Sequence, residues 1–173
     1  MSHLERTVEA LKAKLGPGVR AVETFREQTT VVLSREAIVP ACGLLHDDPA
    51  LGYDLLAALT AVDYWPSEPR FAVVYQFYSI PNRTSLGVRV PLESRAAELA
   101  TIETVYPNAN WHEREVYDMF GITFTGHSDR RRILMPYDWE GYPLRKDFPL
   151  GYEEVQFSFN HAEIDRRKPY ARE

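Results

Sequence analysis

The spacing of hydrophobic residues changes from helical to strand-like along the first third of the chain. Apolar residues first recur at intervals of three and four, at Leu4, Val8, Leu11 and Leu15. Ser2 and Glu5 form a capping-box pattern in front of them, and Gly16-Pro17 interrupts the periodicity. The sequence therefore predicts a helix that begins after Ser2 and ends near Leu15.

Shorter elements follow this helix. Two runs of β-branched residues, Val19–Val22 and Thr29–Leu33, predict a pair of strands. Ser34 then marks the start of a second helix, which the polar break at Asp47-Asp48-Pro49 ends. A third, short helix is predicted over Tyr53–Leu59.

The middle of the chain carries the clearest strand pattern. Three strand-like runs, Ala61–Trp65, Phe71–Ser79 and Leu86–Val90, are separated by proline-containing turns. The run at Phe71–Ser79 is apolar on both faces, which is typical of a central strand covered by helices. Consecutive strands flanked by helices predict an α+β fold, a two-layer domain with a mixed or antiparallel sheet.

The pattern changes again in the last part of the chain. Between Leu134 and Phe159 no helical or strand period is found, although the stretch is rich in aromatic residues and proline. Its aromatics are Tyr137, Trp139, Tyr142, Phe148, Tyr152, Phe157 and Phe159. Long irregular segments are uncommon inside compact domains. We therefore predict an α+β domain over 1–133 and an extended segment over 134–173, which packs either on a partner subunit or on its own domain.

Composition excludes several classes of function. A formal net charge of -5 argues against nucleic-acid binding through bulk electrostatics. The one cysteine, Cys42, can form neither an internal disulfide nor a four-thiolate zinc site, and a buried structural thiol is its expected role. Neither a secretory signal nor a membrane-spanning run is found in the sequence.

The densest group of chemically active side chains begins at His112. A zinc-protease helix needs a second histidine four residues later, where Val116 stands. Glu113 and Glu115 are separated by about 200° around a helix and therefore do not converge on one substrate. A free-standing hydrolase that uses His112, Glu113 and His127 remains an alternative hypothesis.

The same residues predict a helix over Trp111–Phe120, capped by Asn110 and Glu113 and ended by Gly121. Glu113 and Glu115 border its apolar stripe, so both are expected to need cationic or backbone partners. Arg130, Arg131 and Arg132 are the nearest cations in the sequence. Whether such contacts form within the chain or between subunits stays open. Arg114 and Asp118, four residues apart, are expected to pair on the exposed side.

This region resembles the C subunit of NADH-quinone oxidoreductase, the 30 kDa subunit family of respiratory complex I. The family signature is matched without a departure, at Glu113, Arg114, Glu115, Asp118, Met119, Phe120, His127, Arg131, Ile133 and Leu134. The stretch Glu140–Leu150, with Arg145, Lys146 and Asp147, and the stretch Leu59–Tyr64 are also similar to the family.

The resemblance implies a non-catalytic structural subunit of the peripheral arm, with no catalytic, cofactor-binding or metal-binding residues of its own. NADH, FMN, iron–sulfur clusters and quinone would then be bound by other subunits of the enzyme. The implied partners are the hydrogenase-like large D subunit and the cluster-bearing B and I subunits, at the cytoplasmic side of a bacterial inner membrane. Contact with the membrane would be indirect. The equivalent module of a membrane-bound hydrogenase is the alternative within this class.

Overall fold

The chain folds around a five-stranded sheet with its main helices on one face. The computed structural model describes residues 2–149, 159 and 161–167. The helices are α1 (His3–Leu15), α2 (Ile38–Asp47), α3 (Ala109–Phe120) and α4 (His161–Arg167). The strands are β1 (Val19–Phe25), β2 (Gln28–Leu33), β3 (Leu55–Asp63), β4 (Phe71–Ser79), β5 (Thr84–Leu92), β6 (Glu98–Ala100) and β7 (Thr123–Thr125).

The large sheet is mixed. Its strand order is β1-β2-β5-β4-β3, in which only the β2–β5 pairing is parallel. The short strands β6 and β7 form a separate parallel pair. A mixed sheet with helices packed on one face is the α+β arrangement that the sequence predicts. The predicted fold class is confirmed.

The hydrophobic core lies between the sheet and the helices. Alternate residues of β4, namely Phe71, Val73, Tyr75 and Phe77, are buried and belong to one cluster with side chains from α1, α2 and α3. On the opposite face Gln76 is exposed and Val74 is half-buried. The alternation therefore orients β4 towards the helices and produces two layers.

The prediction of a helix over Tyr53–Leu59 is wrong, because Leu55 begins β3 and pairs antiparallel with β4. The ladder contains an irregularity between Leu56 and Ala58. Leu56 and Leu59 are consequently both buried although they stand three residues apart. An irregularity of this kind gives a strand the spacing of a helix, and this explains the error.

Cys42 lies on α2 and is fully buried, as predicted for a structural thiol. Burial, with a smaller contribution from the charge of Glu113, raises the pKa of the thiol far above its ordinary value. The thiolate needed for nucleophilic or redox chemistry is therefore strongly disfavoured at this position.

After β7 the chain runs without regular secondary structure to residue 149. The predicted contacts of Tyr152 and Phe157 lie outside the described residues, and the boundary between residues 133 and 134 stays a prediction. Among the described residues, none of the helices is long and apolar enough to cross a membrane.

Candidate functional site

Helix α3 carries most of the signature residues. It begins at Ala109, two residues before the predicted start, and ends at Phe120. Gly121 caps it, with a φ of 71° in the left-handed region. The predicted capping box is wrong, because Asn110 already lies inside the helix. The Asn110 side chain donates hydrogen bonds to Glu103 and to Ser128.

Asp118 is a fully buried carboxylate near the C-terminal end of α3. Its Oδ2 accepts backbone N–H bonds from three consecutive residues, Ile133, Leu134 and Met135, at 3.1, 2.7 and 2.9 Å. Its Oδ1 accepts a 2.6 Å bond from Nη1 of Arg132. Burial alone would raise the pKa of Asp118, but these donors outweigh it and lower that pKa below its ordinary value.

The predicted ion pair between Arg114 and Asp118 is wrong. Nε and Nη2 of Arg114 donate instead to the carbonyl oxygens of Arg131 and Arg132, and Nη1 lies 3.4 Å from a carboxylate oxygen of Asp129. Arg131 itself pairs with Asp129 at 2.7 Å and is largely exposed. Both members of the expected pair thus bind the segment that follows β7, which we call the strap and define as residues 129–149.

The far end of the strap is bound at the edge of the large sheet. Arg70, which immediately precedes β4, is buried and donates through Nε and Nη2 to both carboxylate oxygens of Asp63. Its Nη1 and Nη2 also donate to Asp147 of the strap, at 2.9 and 2.5 Å. The backbone N–H of Lys146 donates to Asp63 at 2.9 Å, while the Lys146 residue is exposed. One guanidinium thus joins two carboxylates from distant parts of the chain.

Arg145 fastens the same end of the strap to the end of α3. Its Nε donates to the carbonyl oxygen of Phe120, and its guanidinium lies 4.6 Å from the Tyr142 ring centroid and 5.3 Å from that of Phe71. A Cβ on Gly121 would stand 2.5 Å from Tyr142 and 2.6 Å from Arg145. Glycine is therefore required here both for the helix end and for the close approach of the strap.

Glu113 is the second fully buried carboxylate of α3. It accepts a 2.9 Å bond from the backbone N–H of Ile102 and a 2.5 Å bond from the hydroxyl of Thr101. His127 Nε2 lies 3.8 Å away. Burial raises the pKa of Glu113 to about 7, against the opposing effect of these donors. The expected backbone partner of Glu113 is therefore found, but it comes from the loop before α3 and not from arginines 130–132.

The hydrolase hypothesis is not supported by this geometry. Nε2 of His127 lies 3.0 Å from the carbonyl oxygen of Asn110, and Nδ1 accepts from the N–H of Asp129. Both ring nitrogens are thus engaged by the backbone, and no basic lone pair faces solvent. Glu115, by contrast, is exposed, and His112 is half-buried. Within the described part of the chain, no group of three or more His, Cys, Asp or Glu residues is placed to hold a metal ion.

The sequence predicts α3 and an extended segment over 134–173, but it does not show how the two are joined. Asp63 stands out only as part of the stretch Leu59–Tyr64, and Arg70 belongs to none of the predicted motifs. The sequence therefore gives only a weak signal for either residue, since a lone arginine after a proline does not by itself indicate a buried ion pair. The available hint is an acid inside one predicted strand, with an arginine directly before the next.

Comparison with known proteins identifies the family of this chain. The model of the family described as "Respiratory-chain NADH dehydrogenase, 30 Kd subunit" matches residues 31–154. The chain belongs to this family. It is 45% identical over 166 residues to the NADH-quinone oxidoreductase C subunit of Roseiflexus sp. (strain RS-1), covering 96% of this chain and 95% of the relative. The C subunit of the same enzyme in Roseiflexus castenholzii is 47% identical over 163 residues, 94% of each chain.

Two solved structures are similar in fold. One is described as "Nqo5 of the trypsin-resistant fragment (1-134)", with a TM-score of 0.64, 34% identity and coverage of 73% of this chain and 98% of that chain. The other belongs to an archaeal membrane-bound sulfane sulfur reductase, with a TM-score of 0.71 and 24% identity over 98% of this chain and 95% of that chain. The second likeness shows the fold alone. As a member of the 30 kDa family, the chain is a peripheral-arm subunit of NADH-quinone oxidoreductase, and it is associated with a membrane through that complex.

Proposed function

We propose that this member of the 30 kDa family is a non-catalytic structural subunit, which uses its strap to bind other subunits of the peripheral arm. The observation that supports this role is that charged residues of the family-like stretches bind other parts of the same chain. Two residues of α3, Asp118 and Arg114, bind the strap, and two residues of the strap, Arg145 and Asp147, bind the domain. Glu113 and His127 form hydrogen bonds within the domain. None of these groups is presented to a substrate.

The strap held by these residues has an apolar outer surface. Five large hydrophobic side chains of the strap are exposed: Ile133, Leu134, Tyr137, Trp139 and Leu144. Exposed apolar groups in one segment are typical of a protein–protein contact. The fragment described as trypsin-resistant, numbered 1–134 in the related Nqo5, also agrees with a compact domain that is followed by a more accessible segment.

The partners that we propose for this surface are the hydrogenase-like large D subunit and the cluster-bearing B and I subunits. NADH, FMN, the iron–sulfur clusters and quinone would be bound by those and other subunits, so electrons would not pass through this chain. The complex would lie at the cytoplasmic side of the cell inner membrane. Both Roseiflexus relatives carry the quinone-oxidoreductase name, and we therefore favour this enzyme over a membrane-bound hydrogenase.

The test separates assembly from turnover. We expect Leu134→Glu to reduce the amount of assembled complex severalfold, because a charge in an apolar contact is costly to desolvate. Turnover per assembled particle should stay unchanged. Ile80→Glu is the matched control, since Ile80 is 59% exposed against 61% for Leu134 but lies outside the strap. Native-gel quantification beside NADH-to-quinone activity measures both quantities.

Two results would contradict the proposal. Normal assembly with lost turnover in Leu134→Glu would give the strap a direct part in the reaction. Stoichiometric flavin or iron absorbance in the purified chain would mean that it carries a redox group itself.

A further inference from the structure

The strap is bound to the domain at two places. They differ in whether release of the strap would leave a buried charged group of the domain without a partner. We infer that the strap is a hinged latch: residues 132–135 are its fixed end, and residues 144–147 are an end that opens while the domain stays folded. The inference rests on contacts within the chain and does not depend on the identity of any partner.

The fixed end depends on Asp118. If residues 132–135 left α3, this fully buried carboxylate would lose three backbone donors and the guanidinium of Arg132 together. A buried anion without donors is one of the most unfavourable groups in a protein interior. Opening at this end therefore requires the end of α3 to unfold as well.

The other end depends on Arg70, which is different because it has two carboxylate partners. If Asp147 left, Arg70 would keep both of its bonds to Asp63, so a neutral ion pair would remain buried. Asp63 would also keep the N–H bond from Trp65. The Asp147 side chain is already 41% exposed, against 2% for Asp63, and would pass into water with little change in solvation. Release here leaves no buried charge without a partner.

Opening would also break the N–H bond of Lys146 to Asp63 and the contact of Arg145 with the Phe71 ring. The other hydrogen bonds of this end are ones that water can replace. Leu144 and Arg145 donate to the carbonyl oxygens of Met119 and Phe120, which stand at the end of α3 where such oxygens are commonly hydrated. The bond from Arg132 Nη2 to the carbonyl oxygen of Gly141 is exposed.

The part of the strap after the fixed end is suited to move as one body. The rings of Trp139 and Phe148 stack with centroids 6.4 Å apart, and Gly141 leaves room for Phe148 beside it. This internal contact does not involve the domain. An open strap would therefore keep its own loop and separate the Tyr142 ring from Tyr117 of α3, where the two ring centroids are 6.2 Å apart.

Hydrogen exchange by NMR on the full chain tests the inference, because protection of an amide reports how often its hydrogen bond opens. The reporters are the amides of Leu144 and Lys146 at the latch, and those of Leu134 and Met135 at the fixed end. We expect Asp147→Asn to speed exchange at the latch by about three- to fivefold, as for the loss of one partly exposed ion pair. Exchange at the fixed end and the melting temperature should not change.

Asp138→Asn is the matched control, an exposed carboxylate of the same strap. It should leave exchange at all four amides unchanged. Raising the salt concentration should speed latch exchange in the wild type, since a partly exposed ion pair is partly screened, and should have little effect in Asp147→Asn. Equal acceleration at both ends in Asp147→Asn, or no acceleration at the latch, would overturn the inference.

Discussion

Glu113 and Asp118 stand five residues apart on α3 and are both fully buried, yet the protein shifts their pKa values in opposite directions. Burial raises the pKa of either group. Asp118 receives three backbone N–H bonds and a guanidinium, whereas Glu113 receives one N–H bond and one hydroxyl. The deeper burial of Glu113, together with the number and charge of the donors, therefore decides which carboxylate stays ionised.

This difference separates two structural roles. Asp118 is a permanent anion around which the backbone of the strap folds. Glu113, with a pKa of about 7, exchanges a proton near neutral pH without leaving the core. One helix thus holds an ionic anchor and a titrating group, and each can be tested by substitution.

The largest effect is expected for Asp118→Asn. The amide would leave Arg132 without its anion and would place an N–H group either against the three backbone donors or against the Arg132 guanidinium. We expect the free energy of unfolding at pH 7 to fall by about 3–5 kcal/mol, as when one partner of a buried pair is removed. Urea unfolding measures it. Asp138→Asn, in the exposed strap, should change stability by less than about 0.5 kcal/mol. A loss below about 1 kcal/mol in Asp118→Asn would mean that the anchor contributes little.

The second prediction concerns the pH dependence of Glu113. Its pKa is raised from 4.5 to about 7, so the folded state binds the proton more tightly than the unfolded state. The stability of the wild type should therefore fall as pH rises from 4.5 through 7, by up to roughly 3 kcal/mol. Glu113→Gln should lack this loss, because its amide cannot ionise. Urea unfolding across this pH range measures the difference.

Asp118 provides the opposite case. Its lowered pKa stabilises the folded protein above the ordinary aspartate range, and this contribution is lost only as pH falls through the folded-state pKa. The profile of Asp118→Asn should therefore differ from the wild type in slope on the acid side. Parallel slopes for the wild type and Glu113→Gln between pH 4.5 and 7 would contradict the raised pKa of Glu113.

A third substitution makes the two carboxylates more alike. Arg132→Leu removes the charged donor from Asp118 and leaves its three backbone N–H bonds. We expect the pKa of Asp118 to rise and stability to fall by about 2 kcal/mol, the range for a charge-assisted hydrogen bond. Carbon-detected NMR titration of the Asp118 carboxyl measures the pKa. An unchanged value would assign its lowering to the backbone donors alone.

The smallest effect is expected for Glu115→Gln. Glu115 is exposed on the same helix, although its position in the sequence suggested an edge of the buried stripe. Its substitution should change the free energy of unfolding by less than about 0.5 kcal/mol at any pH, as is usual on a protein surface. Chemical denaturation beside Glu113→Gln provides the comparison. A pH-dependent change would show that Glu115 has a buried partner.

The outcome for α3 shows where prediction from sequence succeeds. Its extent follows from the apolar stripe and from Gly121, both of which are local signals. The pairing of Arg114 with Asp118 follows from the same local rule and is wrong, because the strap offers each residue stronger partners. The spacing of residues predicts which side chains lie near each other on one helix, but it does not predict contacts with segments that are distant in the sequence.

The error at Tyr53–Leu59 has a related cause. A ladder irregularity between Leu56 and Ala58 changes which residues face the core, and this is decided by pairing with β4. The roles of Asp63 and Arg70 could not be foreseen either, since Asp147 follows them by 84 and 77 residues.

The sequence by itself determined the α+β class, the helix that carries the signature and the family, because these depend on residue order and local periodicity. Only the tertiary structure decided which buried carboxylate is ionised and how the strap is held. Those properties depend on how deeply each group is buried and on the number and charge of the donors that converge on it. The donors come from loops whose positions are set by packing of the whole chain.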